Sequence, residues 1–198
     1  MLAAAAPSVA NYEVVALGAS AGGLNALTRV LSGLPADFPA ALVVVQHLDR
    51  RHRSLMVEIL AKRTALEVRQ AAEGDELRAG RVIIAPPNHH LLVNAGGSLS
   101  LSQTELVHFV RPSADLLFES TAAAYRERAI AVVLSGSGQD GAMGVRAIKK
   151  MGGTVIVQDT KNAEFPGMPE AALATGAADF VLAVDEIAPA LQRLLTPA

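Results

Sequence analysis

Apolar residues along this chain come in short unbroken bursts. VVAL at 14–17, LVVV at 42–45, IAVVL at 130–134, TVIV at 154–157 and FVLAV at 180–184 are four or five residues each, with β-branched residues prominent. Strands buried on both faces read this way. Helix-period segments follow many of them, at 24–31, 54–62, 113–126, 141–150 and 169–174, with a last one from 185 onward. Shorter strand candidates lie at 66–71 and 81–85. Two more, 91–93 and 98–101, flank the turn signal NAGG and predict a hairpin. The alternation predicts an α/β fold with a mostly parallel sheet and a small antiparallel hairpin extension.

The 198 residues, 51% of them hydrophobic, suit one domain with a sizeable core. That domain is expected over 12–198, after a loose Ala-rich tail at 1–11. The opening MLAAAAPSVANYE lacks a charged start and is not read as a signal peptide. No apolar run approaches the roughly 18 residues that span a bilayer, so membrane insertion is not expected. The net charge of -2 gives no basic excess for nucleic acid. The absence of cysteine excludes disulfides and thiolate metal sites, and is compatible with a cytoplasmic location.

In open parallel sheets, ligands bind beyond the carboxyl ends of the strands. Ser20 follows the first strand, inside Gly18-Ala19-Ser20-Ala21-Gly22. That is the G-x-S-x-G pattern, in which small neighbours let a serine sit exposed on a sharp turn. Gln46 and His47 follow the second strand. SGSGQDGAMG, containing Asp140, follows the strand at 130–134. A hydroxyl, an imidazole and a carboxylate at three strand ends are the parts of a Ser-His-Asp triad. Neutral His47 is a candidate base for the hydroxyl proton. The Ala21 N–H is a candidate oxyanion donor. Asp140 stands just before a helix, whose N–H groups and dipole favour an ionised carboxylate.

Plainer roles compete. Ser20 and Asp140 could be helix caps, and His47 a polar residue at a strand end. A dinucleotide site would want glycine where Ser20 stands and an acid after the second strand, where Gln46 and His47 stand. A short-chain dehydrogenase wants Tyr-x-x-x-Lys, but Ala129 lies four residues after Tyr125. An α/β-hydrolase runs Ser, acid, His. Here the last histidine, His108, follows no strand, and His89 and His90 read as surface or loop positions. The preferred order is Ser20, His47, Asp140.

Several ordered motifs, LGASAGGLNAL, VVVQHLDRRHRSLMVEIL, IIAPPNHHLLV, RPSADLLFES, LSGSGQDGAMGVRAIKKMGG and VQDTKNAEFPGMPEAALATGAADFVLAVDEI, make the chain resemble the catalytic domain of CheB-type chemotaxis methylesterases from about Tyr12 onward. The family's serine, histidine and aspartate fall on Ser20, His47 and Asp140. The resemblance implies a cytoplasmic enzyme that hydrolyses glutamate γ-methyl esters on chemoreceptor helices, releasing methanol. Some members also deamidate receptor glutamines. It implies a doubly wound, Rossmann-like α/β domain, no cofactor or metal, and a monomer.

Departures stand beside the match. Ala21 replaces the usual threonine, leaving only a backbone donor. Ser137 replaces the usual methionine of the Gly-rich loop, where its N–H is a second oxyanion candidate. Val110 replaces a histidine often found before Arg-Pro-Ser. Only about a dozen residues precede the first strand, so no receiver domain is expected within this sequence. A separate or fused regulatory domain is the corresponding expectation. Met168, in EFPGMPEAAL, is a candidate pocket-lining or packing residue, with Pro169 suited to a first helical turn. Arg111 is expected to anchor its loop, with Ser113 as a helix cap. Arg50, Arg51 and Arg53 are candidates for docking an acidic receptor surface. A domain that binds receptors or signalling partners without catalysis, and an esterase for an unrelated substrate, are the alternative functions.

Overall fold

The computed structural model describes residues 13–47 and 54–195. Arg50, Arg51, Arg53 and the tail expected at 1–11 lie outside the described residues. Among the described residues, seven parallel strands form one sheet. They are β1 (Val14–Ala19), β2 (Ala41–Gln46), β3 (Glu67–Gln70), β4 (Arg81–Ile84), β7 (Ala129–Val133), β8 (Thr154–Gln158) and β9 (Phe180–Leu182), ordered β3-β4-β2-β1-β7-β8-β9. The remaining two, β5 (His90–Val93) and β6 (Leu99–Ser102), pair antiparallel as a sheet of their own.

The unbroken apolar bursts follow from helices on both faces. Val15 and Leu17 of β1 pack with Leu27, Val30 and Leu31 of α1 (Gly23–Ser32) and Ile187 and Leu191 of α6 (Val184–Leu195). Met56 and Leu60 of α2 (Met56–Ala61) join that layer. Val14 and Ala16 face the other way. They meet α3 (Ala114–Tyr125), α4 (Ala142–Lys150) and α5 (Gly167–Ala174) through Leu117, Phe118, Val145, Ile148 and Met168. All six β1 residues are buried, which neither polar alternation nor a one-sided sheet would permit.

Two details depart from the pattern reading. The burst at 180–184 divides: β9 ends at Leu182 and Val184 opens α6. As an edge strand paired only to β8, β9 leaves Phe180 and Val181 exposed. His90 is not a surface or loop residue. It starts β5 wholly buried, with Nε2 at 3.0 Å from the Glu105 carbonyl oxygen. Burial, as the main cause, lowers its pKa. The rest of the hairpin seals the α3 layer: Leu91, Val93 and Leu99 are buried there, and the Val93 N–H donates to Ser120 Oγ at 3.1 Å. No described helix is long and apolar enough to cross a membrane.

Candidate active site

The sheet order puts β2, β1 and β7 side by side at the centre. The chain leaves β1 towards β2 on one side and later enters β7 on the other. This reversal opens a crevice at the carboxyl ends. Parallel pairing continues just past the strands. The His47 N–H donates to the Ala19 carbonyl oxygen at 3.1 Å, and the Ser20 N–H to that of Ser135 at 3.0 Å. The register therefore carries the first polar residues after each strand into one place. Gln46 braces them, its Nε2 donating to the carbonyl oxygens of Ser20 (2.7 Å) and His47 (3.0 Å).

The glycines flanking Ser20 act differently. Gly22 has φ of 71°, a left-handed conformation that turns the chain into α1. At Gly18 the constraint is close approach: a Cβ there would lie 2.8 Å from Ala114 Cβ and 3.0 Å from Phe118 Cζ. The first glycine thus lets α3 pack on β1, and α3 in turn holds the acid.

Asp140 is 2% exposed and accepts four hydrogen bonds from the described residues. His47 Nε2 (2.7 Å) and the Ala114 N–H (2.6 Å) meet Oδ2. Ser113 Oγ (2.8 Å) and the Asp115 N–H (3.1 Å) meet Oδ1. The expected helix effect is present, but from another helix. Asp140 precedes α4, yet it faces the first turn of α3, because left-handed Gly141 (φ 99°) caps α4 instead. Burial pushes the Asp140 carboxyl up. The hydrogen bonds from His47, Ala114 and Asp115, with the His47 charge, outweigh it and hold the group below the usual carboxylate value. An ionised carboxylate only accepts, so Nε2 carries a proton, and in the neutral ring the lone pair is then on Nδ1.

Ser20, His47, His108, Phe109, Ser137 and Asp140 line one cavity of about 520 Å³. No hydrogen bond joins Ser20 Oγ to His47, a separation common before substrate tightens a site. Ser137 is exposed on the loop after β7. The base of that loop is stapled: the Gly136 N–H donates to the Phe165 carbonyl oxygen (2.9 Å), and the Met168 N–H to that of Gly136 (2.8 Å). Met168 does not line the cavity. It is wholly buried behind Gly136, where a Cβ would overlap its Sδ and come within 2.9 Å of Ser20 Cβ. The loop needs a floor there, and Met168 fills it. The Ala21 carbonyl oxygen accepts from Ser135 Oγ at 2.9 Å, tying the Ser20 turn to the same loop.

The sequence reading set His108 aside and missed Phe109. They are the central residues of a tight turn in which Val107 and Val110 exchange N–H···O bonds (3.2 and 2.9 Å). Both are left-handed, with φ of 48° and 65°, which costs about 1 kcal/mol or more for each non-glycine residue. Such turns usually carry Asn-Gly, so VHFV gave no signal. Two anchors hold it. His108 Nε2 lies 3.1 Å from Asp115 Oδ2. Arg111 reaches Asn88 Oδ1 and the carbonyl oxygens of Gln103 and Thr104. Ser113 caps α3, its oxygen accepting from the Leu116 N–H.

The chain as a whole resembles known proteins. The sequence model of CheB methylesterase matches residues 15–191. The chain belongs to the CheB methylesterase family. The Thermotoga maritima CheB methylesterase catalytic domain superposes with a TM-score of 0.89 at 35% identity, covering 92% of this chain and 98% of that one. The protein-glutamate methylesterase/protein-glutamine glutaminase 2 of Anaeromyxobacter dehalogenans is 47% identical over 191 residues. This CheB-family chain spans 56% of that protein, but 95% of a 40% identical relative in Leptospira interrogans.

Proposed function

We propose that the chain is a protein-glutamate methylesterase and protein-glutamine glutaminase in which Ser20 is the nucleophile, His47 the base and Asp140 its partner. Ser20 Oγ bonds to the ester carbonyl carbon as its proton passes to His47 Nδ1. The carbonyl electron pair moves onto oxygen, held by the Ala21 and Ser137 N–H groups. The carbon–methoxy bond then breaks, and methanol leaves with the proton from His47. Water attacks the glutamyl-serine ester, with His47 again taking and returning a proton. Glutamate and free Ser20 result. With a glutamine side chain the leaving group is ammonia. No step needs a metal or cofactor.

What carries this reading is the 2.7 Å contact between His47 and Asp140 in the same cavity as Ser20. The substrates are the cytoplasmic helices of methyl-accepting chemoreceptors, which makes the cytoplasm the place of action. The catalytic unit acts as a monomer under a separate or fused regulatory domain. The test is methanol release from methyl-labelled chemoreceptor membranes. Release by the wild-type chain and none by Ser20→Ala is expected. Equal release by both would remove Ser20 from the mechanism, and release by neither would favour a binding role.

A further inference from the structure

We propose that Phe109 is a specificity-determining residue, whose ring packs on the substrate helix beside the esterified glutamate. This rests on the methylesterase reading above. Phe109 is 90% exposed, and it lines the same cavity as Ser20 and His47. Free in water, a large aromatic ring at that rim contributes nothing to the fold. Against a partner it supplies the kind of rigid apolar contact that dominates interfaces.

The backbone under it is held at a cost. His108 and Phe109 occupy consecutive left-handed positions that glycine or asparagine would fill without strain. The surroundings enforce the turn through the Val107–Val110 pair, the His108–Asp115 contact and the Arg111 bonds. Strain retained in this way collects at ligand clamps. The occupant follows from the substrate's own geometry. On a helix, residues three and four away from the esterified glutamate stand roughly 5–6 Å from it. With the ester carbonyl at Ser20, those neighbours fall on the rim, where Phe109 stands. A small ester has no such neighbours.

The experiment compares kcat/KM for a soluble methylated receptor fragment with kcat/KM for p-nitrophenyl acetate. In Phe109→Ala the ratio of the two should fall about tenfold, as for loss of one well-buried anchor. Phe109→Tyr should keep it within about threefold of wild type. Phe109→Asn, which tolerates the left-handed turn but lacks the ring, should behave like alanine. An unchanged ratio in Phe109→Ala overturns the proposal, and so does a wild-type ratio in Phe109→Asn. Binding of the fragment is measured separately in a Ser20→Ala background, where Phe109→Ala should raise Kd about tenfold. If the wild type releases no methanol, the methylesterase reading falls. The role of Phe109 is then decided by binding alone, and an unchanged Kd overturns it.

Discussion

His47 and Asp140 meet through Nε2 at 2.7 Å, so Nδ1 is the ring nitrogen that the proposed mechanism turns to Ser20. Asp140→Asn tests how far that tautomer matters. Asparagine offers one oxygen where the carboxylate meets donors on both. Its NH2 must face either the His47–Ala114 pair or the Ser113–Asp115 pair. Turned towards His47, it forces the imidazole into the wrong tautomer. Methanol release should fall by about 10³–10⁴-fold. The clash with backbone N–H groups should also lower stability, by about 1–3 kcal/mol. Turnover within tenfold of wild type would remove Asp140 from the mechanism.

The two aspartates at the start of α3 should act on acid stability in opposite senses. Asp140 titrates below its unfolded value. Its contribution is complete above the unfolded carboxylate pKa of about 4 and is lost as pH falls through the folded value. Burial, as the largest cause, instead raises the Asp115 carboxyl despite the Gly144 N–H at 2.7 Å. As pH falls from the raised value towards the unfolded one, protonation of Asp115 favours the folded state. Urea midpoints taken from pH 2 to 7 should therefore separate the variants. Asp140→Asn should flatten the loss at the acid end. Asp115→Asn should remove a gain that precedes it. Parallel curves for wild type and both variants would refute this assignment.

Gly18 couples the serine turn to the acid through packing. Its missing Cβ gives α3 room against β1, with 2.8 Å from a hypothetical Cβ to Ala114 Cβ. Gly18→Ala should cost about 1–3 kcal/mol in urea unfolding, since neither backbone can yield freely. The same displacement should move the Ala114 N–H away from Asp140 and lower kcat more than it raises KM. Wild-type stability would show that α3 has room to move.

The doubly wound sheet was legible because strands buried on both faces carry unbroken apolar runs, and β1, β2, β7 and β8 do. Edge position blurred β9, where Phe180 and Val181 face outward. The meeting of Ser20, His47 and Asp140 in one cavity was legible because each follows a strong strand, and parallel pairing brings strand ends together. The origin of the N–H donors to Asp140 was hidden, since which helix turns towards a carboxylate depends on packing at Gly18. The turn at His108 and Phe109 was hidden for another reason: it is imposed by His108–Asp115 and Arg111, not by turn residues of its own.

Met168 gives the clearest separation of support from contact. It is wholly buried, with its Sδ where a Gly136 side chain would be, and its N–H fixes the Gly136 carbonyl oxygen at 2.8 Å. Met168→Ala empties the floor beneath the loop that carries Ser137. The cavity should cost about 2–5 kcal/mol, measured by urea denaturation. A loosened loop would hold the Ser137 N–H less well against the developing oxyanion, so kcat should drop. KM for the receptor fragment should move little, because the side chain does not reach the cavity. Met168→Leu, close in volume, should recover most of both losses. If Met168→Ala instead raised KM at unchanged kcat and stability, Met168 would be a substrate contact after all, reached by a movement of the loop above it.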